Sequence, residues 1–145
     1  MSETKERYNT NGKIVLSPLI DDLMDYCAKW QKRLRLQDWK VYVRVTRMRD
    51  MNDANHAAEV TIKWSEKTAY LRYLDPQDYV GCVADEPELN IIHELCHILT
   101  RGICDNEHCD PDAEEVAVIC LSEALYKTEY PDWQEKVTGY QEVVP

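Results

Sequence analysis

The chain of 145 residues has no phenylalanine, so nine Tyr and four Trp supply its aromatic surface. It also has no apolar run long enough to cross a membrane, and its polar N-terminus lacks the apolar core of a signal peptide. These absences argue against a membrane partner, and they predict a protein that works in the cytoplasm.

Basic residues are scarce: the chain has 17 Lys and Arg against 27 Asp and Glu, for a net charge of −10. Because nucleic-acid binding depends on neutralising phosphates with Lys and Arg, this balance argues against nucleic acid as a partner. Arg44, Arg47 and Arg49 form a local basic cluster. We interpret this cluster as a solvated strand edge, since charged side chains commonly protect such edges.

Six cysteines raise the question of disulfides. Without an export signal we expect reduced thiols, several of them packed as small apolar side chains. Cys96 and Cys120 fall in apolar helical patterns, which favours this interpretation.

The length fits one domain with its own core. We divide the chain into a flexible polar arm (1–16), a single domain (17–130) and a tail that docks on it (131–145). The tail has three apolar residues available for docking: Trp133, Val137 and Tyr140.

The apolar pattern predicts an α+β fold with one helix, three strands and two further helices. Ser17-Pro18 is typical of a helix start, and apolar residues then recur at helical spacing to about Leu36. Alternating apolar and polar residues predict strands at 39–46, 58–64 and 68–74, of which the last two form a hairpin. The last two helices are predicted to begin at Pro87 and Pro111.

The most informative motif is His93-Glu94-Leu95-Cys96-His97, which lies inside the first of these two helices. Positions i and i+4 share a helix face, so His93 and His97 can bind one Zn²⁺. Glu94 can then reach a water at the same metal and act as general base. The sequence therefore predicts zinc as cofactor and Glu94 as the catalytic residue.

A catalytic zinc usually has a third protein ligand, and the start of the next helix offers Glu114 and Glu115. We predict Glu114, because it shares a helical stripe with Val118, Leu121 and Leu125. Glu115 and the preceding loop remain alternatives, and first-turn carboxylates also suit a helix dipole without any metal.

That loop contains Cys104, His108 and Cys109, which could bind a second, structural zinc. A fourth ligand at regular spacing is missing, so an ordinary polar loop is the favoured interpretation. His56, isolated in a polar link, is expected to be exposed and without function.

These features resemble the minigluzincins, in particular the ImmA/IrrE-like and related phage-encoded zinc metallopeptidases. The resemblance spans about residues 17–128 and rests on the H-E-x-x-H motif and on the E-x-x-A setting of Glu114-Glu115-Val116-Ala117. It implies a zincin-like fold, His93, His97 and Glu114 as zinc ligands, and a catalytic Glu94. The chain departs from the family pattern at Val118, where members often have Asn or Asp. A SprT-like alternative fits less well, because it needs a His as third ligand.

The sequence thus favours a zinc-dependent peptidase that acts on a protein or peptide, such as a regulatory protein. An oxyanion donor is not identified, although Tyr79, Tyr126 and Tyr130 are conceivable. The alternatives are an inactive zinc-binding protein-interaction module and a helical domain with a chance motif.

Overall fold

The computed structural model describes residues 5–8, 14–17, 20–53, 56–78, 86–103 and 109–133. Its first long element is helix α1 (Ile20–Arg33). Asp21 and Asp22 lie in its first turn, where the positive end of the helix dipole stabilises negative charge. Leu23, Cys27 and Trp30 form the buried stripe of this helix. The predicted N-terminal helix is therefore present, with slightly narrower bounds.

Three strands form a mixed sheet: β3 (Lys40–Thr46), β4 (Ala58–Lys63) and β5 (Thr68–Leu74), in the order β3-β5-β4. The predicted hairpin is confirmed, since β4 and β5 pair antiparallel, while β3 pairs with β5 in parallel. One face of the sheet packs against α1 and the next helix, with Val60, Leu71 and Tyr73 in the core.

The N-terminal region differs from the prediction of a flexible arm. Two strands, β1 (Lys5–Tyr8) and β2 (Ile14–Ser17), pair antiparallel and lie against the short 3₁₀ turn Pro76–Asp78. The sequence concealed the pairing, because β1 is polar and β2 has three consecutive apolar residues, so neither strand shows apolar–polar alternation. The bounds of the domain itself stay a prediction.

Helices α2 (Pro87–Arg101) and α3 (Pro111–Glu129) pack against each other in opposite directions. Glu88 in the first turn of α2 contacts Tyr130 after the end of α3, and His97 near the end of α2 contacts Glu114 near the start of α3. Both helices begin where the prolines predict. This antiparallel pairing brings the H-E-x-x-H motif beside the first turns of α3.

The buried side of α3 agrees with the prediction at three positions. Val118 is fully buried, Leu125 packs against the core, and the Glu114 side chain is 12% exposed against 41% for Glu115. Leu121 departs from the prediction, since it is exposed, whereas Ser122 is buried and Tyr126 packs against the core. The inward side of α3 therefore lies between the two stripes, and both Glu114 and Glu115 reach α2.

Cys27, Cys96 and Cys120 are free, as expected, and burial raises the pKa of Cys27 to about 12 and that of Cys96 to about 11. Cys109 is disulfide-bonded, which contradicts the expectation of reduced thiols and leaves it no thiolate for a second zinc. Cys104 and His108 lie outside the described residues. Among the described helices, none is both long and apolar enough to cross a membrane.

Candidate metal centre

His93 and His97 lie one turn apart on the side of α2 that faces α3. Their ring centres are 4.9 Å apart with the planes inclined at 75°. His97 is buried, and the His93 side chain is 18% exposed. The helix thus presents two imidazoles side by side at its contact with the start of α3.

The start of α3 is fixed by its cap. The Asp110 side chain accepts a hydrogen bond of 2.9 Å from the backbone N–H of Asp112, and Pro111 occupies the first helical turn. A helix that begins here places Glu114 and Glu115 within reach of α2. Consecutive helical residues point about 100° apart, so the two carboxylates approach the imidazoles from different sides.

Glu114 contacts the Nδ1 side of His97. Its Oε2 accepts hydrogen bonds from His97 Nδ1 and, at 3.0 Å, from Thr100 Oγ1, while Oε1 lies 3.3 Å from Arg101 Nε. Burial raises the pKa of Glu114, but the hydrogen bonds from His97, Thr100 and Arg101 outweigh it, so the pKa falls below its usual value. Glu114 is therefore an ionised carboxylate whose neighbours are all donors.

Glu115 contacts the other nitrogen of His97 and also reaches His93. Its Oε1 lies 2.9 Å from His93 Nε2, and its Oε2 lies 3.2 Å from His97 Nε2. The Glu115 side chain is 41% exposed, so this corner of the cluster opens to solvent. One carboxylate thus faces the Nε2 atoms of both imidazoles.

The contacts of Glu114 and Glu115 determine which nitrogen of a neutral His97 carries the hydrogen. An ionised carboxylate can only accept, so Nδ1 of His97 carries the hydrogen that is donated to Glu114, and Nε2 of a neutral His97 has a lone pair. That lone pair then faces an oxygen of Glu115, which is also an acceptor. Either a proton on the ring or a bound cation must lie between such groups. At His93, burial lowers the pKa and so disfavours the protonated ring.

The donor set fits Zn²⁺, which binds imidazole nitrogen and carboxylate oxygen at about 2.0–2.2 Å. Two such bonds at a tetrahedral angle separate their ligand atoms by about 3.3 Å. The separations between the Glu115 oxygens and the two Nε2 atoms are 2.9 and 3.2 Å, which is close to this distance between two zinc ligands.

Glu94 lies beside the two imidazoles on α2. One ligand atom each from His93, Glu94 and His97 can be chosen so that the three lie within 4.8 Å of one another. Glu94 is buried, and its pKa is raised well above the usual value, first by burial and then by the negative charge of Glu115. It is thus a carboxyl group with unusually strong affinity for a proton.

Arg101 connects this cluster to the sheet. Besides its contact with Glu114, its guanidinium lies 3.5 Å from the carbonyl oxygen of Val60 on β4. β4 pairs with β5 on one side and is an edge strand of the sheet. The cluster therefore lies beside a strand edge.

The tyrosines considered as oxyanion donors and His56 differ from what the sequence suggested. Tyr130 donates to Glu88 at 2.7 Å, and Tyr126 stacks beside it, so both lie at the opposite end of the α2–α3 contact from His97. Tyr79 is outside the described residues. His56 is 58% exposed, as expected, yet its charge contributes to lowering the pKa of His93, so it influences the cluster. Its distance in sequence hid this influence.

Comparison of the chain with protein-family models, curated proteins and solved structures finds no match.

Proposed function

We propose that this protein is a zinc-dependent peptidase with a minigluzincin-like fold. One observation supports the proposal most strongly: the Nε2 atoms of His93 and His97 converge on the carboxylate of Glu115, and the Nε2 of a neutral His97 faces that carboxylate without a hydrogen to donate. A divalent cation resolves this conflict, and the ligand types are those of catalytic zinc sites.

The proposed ligands are His93, His97 and Glu115. Glu114, which the sequence favoured as a ligand, instead acts as a positioning residue, because it fixes the tautomer and orientation of His97 through Nδ1. Ligating histidines typically donate their other ring N–H to such a carboxylate. Members of the family often have Asn or Asp at the position of the buried Val118. In this chain Glu114 supplies the acceptor that orients a histidine.

Zinc held by these residues supplies a Lewis acid and lowers the pKa of water from about 16 to about 7. Glu94 is the proposed general base: it takes the proton from the attacking water and passes it to the leaving amine. Burial raises the pKa of Glu94 above its usual value, which favours the step in which this carboxylate takes up a proton.

The proposed substrate is an extended segment of a protein, such as a regulatory protein, that pairs with the free edge of β4. An edge strand offers unpaired backbone groups to an added strand. The contact between Arg101 and the Val60 carbonyl indicates how near this edge is to the metal ligands.

The ligand assignment is tested by zinc retention in Glu115→Ala and Glu114→Ala, measured by elemental analysis after dialysis against a competing chelator. We expect Glu115→Ala to lose zinc at a chelator concentration at least about tenfold lower than Glu114→Ala, because a lost ligand costs more than a lost neighbour. The reverse order would restore Glu114 as the ligand. Retention of zinc by both variants would refute the whole site, and His97→Ala gives the reference for complete loss.

The activity is tested by incubating the zinc-loaded protein with a denatured protein mixture and identifying new peptide termini by mass spectrometry. We expect termini that are absent when Glu94→Gln is used at the same zinc content. Equal termini from both proteins would exclude Glu94 as the base.

A zinc-binding interaction module without catalysis is the second candidate. It is favoured by the position of Tyr126 and Tyr130, which leaves neither of them as an oxyanion donor at the cluster. Full biological activity of Glu94→Gln would support this candidate.

A further inference from the structure

The outer face of the sheet, opposite the helices, has a regular arrangement of side chains. The strand register places them in three rows that run across β3, β5 and β4. The rows are Lys40–Thr68–Lys63, Tyr42–Tyr70–Thr61 and Arg44–Arg72–Glu59. An aromatic row thus lies between two rows that contain cations.

The aromatic row is exposed. The rings of Tyr42 and Tyr70 stack with their centres 5.4 Å apart and their planes inclined at 15°. Their exposed fractions are 55% and 37%, which is high for large side chains in the middle of a sheet. Tyrosine is enriched in protein interfaces because it combines a large apolar surface with a polar tip.

The cations of this face are largely unneutralised. Lys40 and Arg44 have no carboxylate partner among the described residues, and the Lys63 ammonium lies 5.5 Å from the Tyr70 ring centre. Arg72 is paired with Glu59 at 2.9 Å, and Glu59 is the one acidic member of the three rows. The face therefore carries four cations against one anion.

The rest of the chain has the opposite sign. With a net charge of −10, a locally positive face is the place where an anionic partner meets least repulsion. We propose that this outer face binds an acidic, extended peptide segment of a partner protein. The rows repeat at the two-residue spacing of a strand, about 6.7 Å, which is also the spacing of alternate side chains in an extended peptide.

Single-stranded nucleic acid fits the face less well, although it is also anionic. Base stacking needs free aromatic faces, and Tyr70 has Tyr42 on its ring and Lys63 within cation–π distance. The basic cluster of the sequence contributes Arg44 alone, because Arg47 is paired with Asp78 and Arg49 lies near Asp50.

The proposal does not depend on the metal centre, and its test uses the intact chain without added zinc. The probe is a fluorescein-labelled peptide of alternating Glu and Thr, and the measurement is fluorescence anisotropy at several salt concentrations. We expect saturable binding that weakens with salt and a much weaker signal with a Gln–Thr peptide of equal length.

The variant Lys40→Glu/Arg44→Glu is expected to weaken binding about tenfold, since it removes two cations from the face and replaces them with charges that repel an acidic peptide. Tyr42→Ala is expected to weaken binding about threefold, whereas Tyr42→Phe retains most of it. Lys32→Glu is the matched control, because this exposed lysine lies at the end of α1, on the other side of the sheet.

Equal loss in Lys32→Glu would show a general charge effect and overturn the proposal. Tighter binding of a labelled oligothymidine than of the acidic peptide would replace the partner with nucleic acid and overturn it as well. The assay measures binding without zinc and without cleavage, so a failed peptidase assay and a failed docking surface are distinguishable.

Discussion

Helix α2 carries two polar clusters that contain similar residue types but follow different rules. In its first turn, Glu88 is buried and accepts hydrogen bonds from Lys29 at 2.9 Å, Trp30 at 2.8 Å and Tyr130 at 2.7 Å. Two turns later, the Nε2 atoms of His93 and His97 face the carboxylate of Glu115, which has no hydrogen to give. The acceptor meets only donors in the first cluster, whereas in the second the Nε2 of a neutral His97 meets another acceptor.

The difference separates a structural cluster from a binding site. A buried carboxylate with three donors needs nothing further, and it joins α1, α2 and the end of α3. A set of converging acceptors is stable when a cation or protons compensate it. The first cluster therefore contributes to folding, and the second is the place to look for a ligand.

Among the substitutions that test this difference, Glu94→Gln should have the largest effect. We expect cleavage to fall by about 100- to 10,000-fold, because a general base contributes about that much. Zinc content and the thermal midpoint should stay near those of the wild type. Initial rates on a cleaved peptide identified by mass spectrometry provide the measurement, and a loss of less than tenfold would contradict the assigned role.

The Glu88 cluster should show the opposite behaviour. Glu88→Ala leaves Trp30 and Tyr130 without their acceptor, so we expect a loss of about 2 to 3 kcal/mol in the free energy of unfolding. Zinc per folded chain should not change. Urea denaturation is the measurement, and Glu129→Ala is the control, since its more exposed pairs with Lys29 and Arg33 are screened by solvent and contribute less. Loss of zinc in Glu88→Ala would show that the two clusters are coupled.

The role of Glu114 is sharpened by two substitutions. Glu114→Leu removes the acceptor for His97 Nδ1, so we expect zinc affinity to fall by about 10- to 100-fold and the ring to populate both tautomers. Glu114→Gln keeps an acceptor oxygen and should fall between Leu and the wild type. Nitrogen NMR shifts of the His97 ring report the tautomer directly. A single unchanged tautomer in Glu114→Leu would mean that another group orients the ring.

The smallest expected effect concerns His56. Its positive charge contributes to lowering the pKa of His93, so His56→Ala should raise that pKa in the metal-free protein. Proton NMR titration of the His93 ring is the measurement. A constant pKa would show that His56 has no influence on the cluster, and a lowered pKa would show an influence of the opposite sign.

The sequence predicted the elements that bear the cluster well, for physical reasons that can be named. The alternation of apolar and polar residues predicted the three strands and the β4–β5 hairpin. Pro87 and Pro111 predicted the starts of α2 and α3. The spacing of His93 and His97 then required a partner helix near their face. The short connection between α2 and α3 supplied it.

The division of labour between Glu114 and Glu115 could not be predicted in this way. The two residues are adjacent, and α3 buries both Val118 and Ser122 while it exposes Leu121, so apolar periodicity does not separate the roles of the two carboxylates. The orientation of a helix about its axis depends on packing partners that a single sequence does not identify. The β1–β2 hairpin was missed because its residues lack an apolar alternation.

The contacts to both ring nitrogens of His97 affect how readily a bound ion would exchange. One turn of α3 provides a carboxylate at Nδ1 and another at Nε2, so rotation of the imidazole about its Cβ–Cγ bond would break two contacts at once. A ligand that is held in its binding rotamer before the ion arrives loses little entropy on capture. If zinc binds as proposed, we expect it to exchange without refolding of α2 and α3.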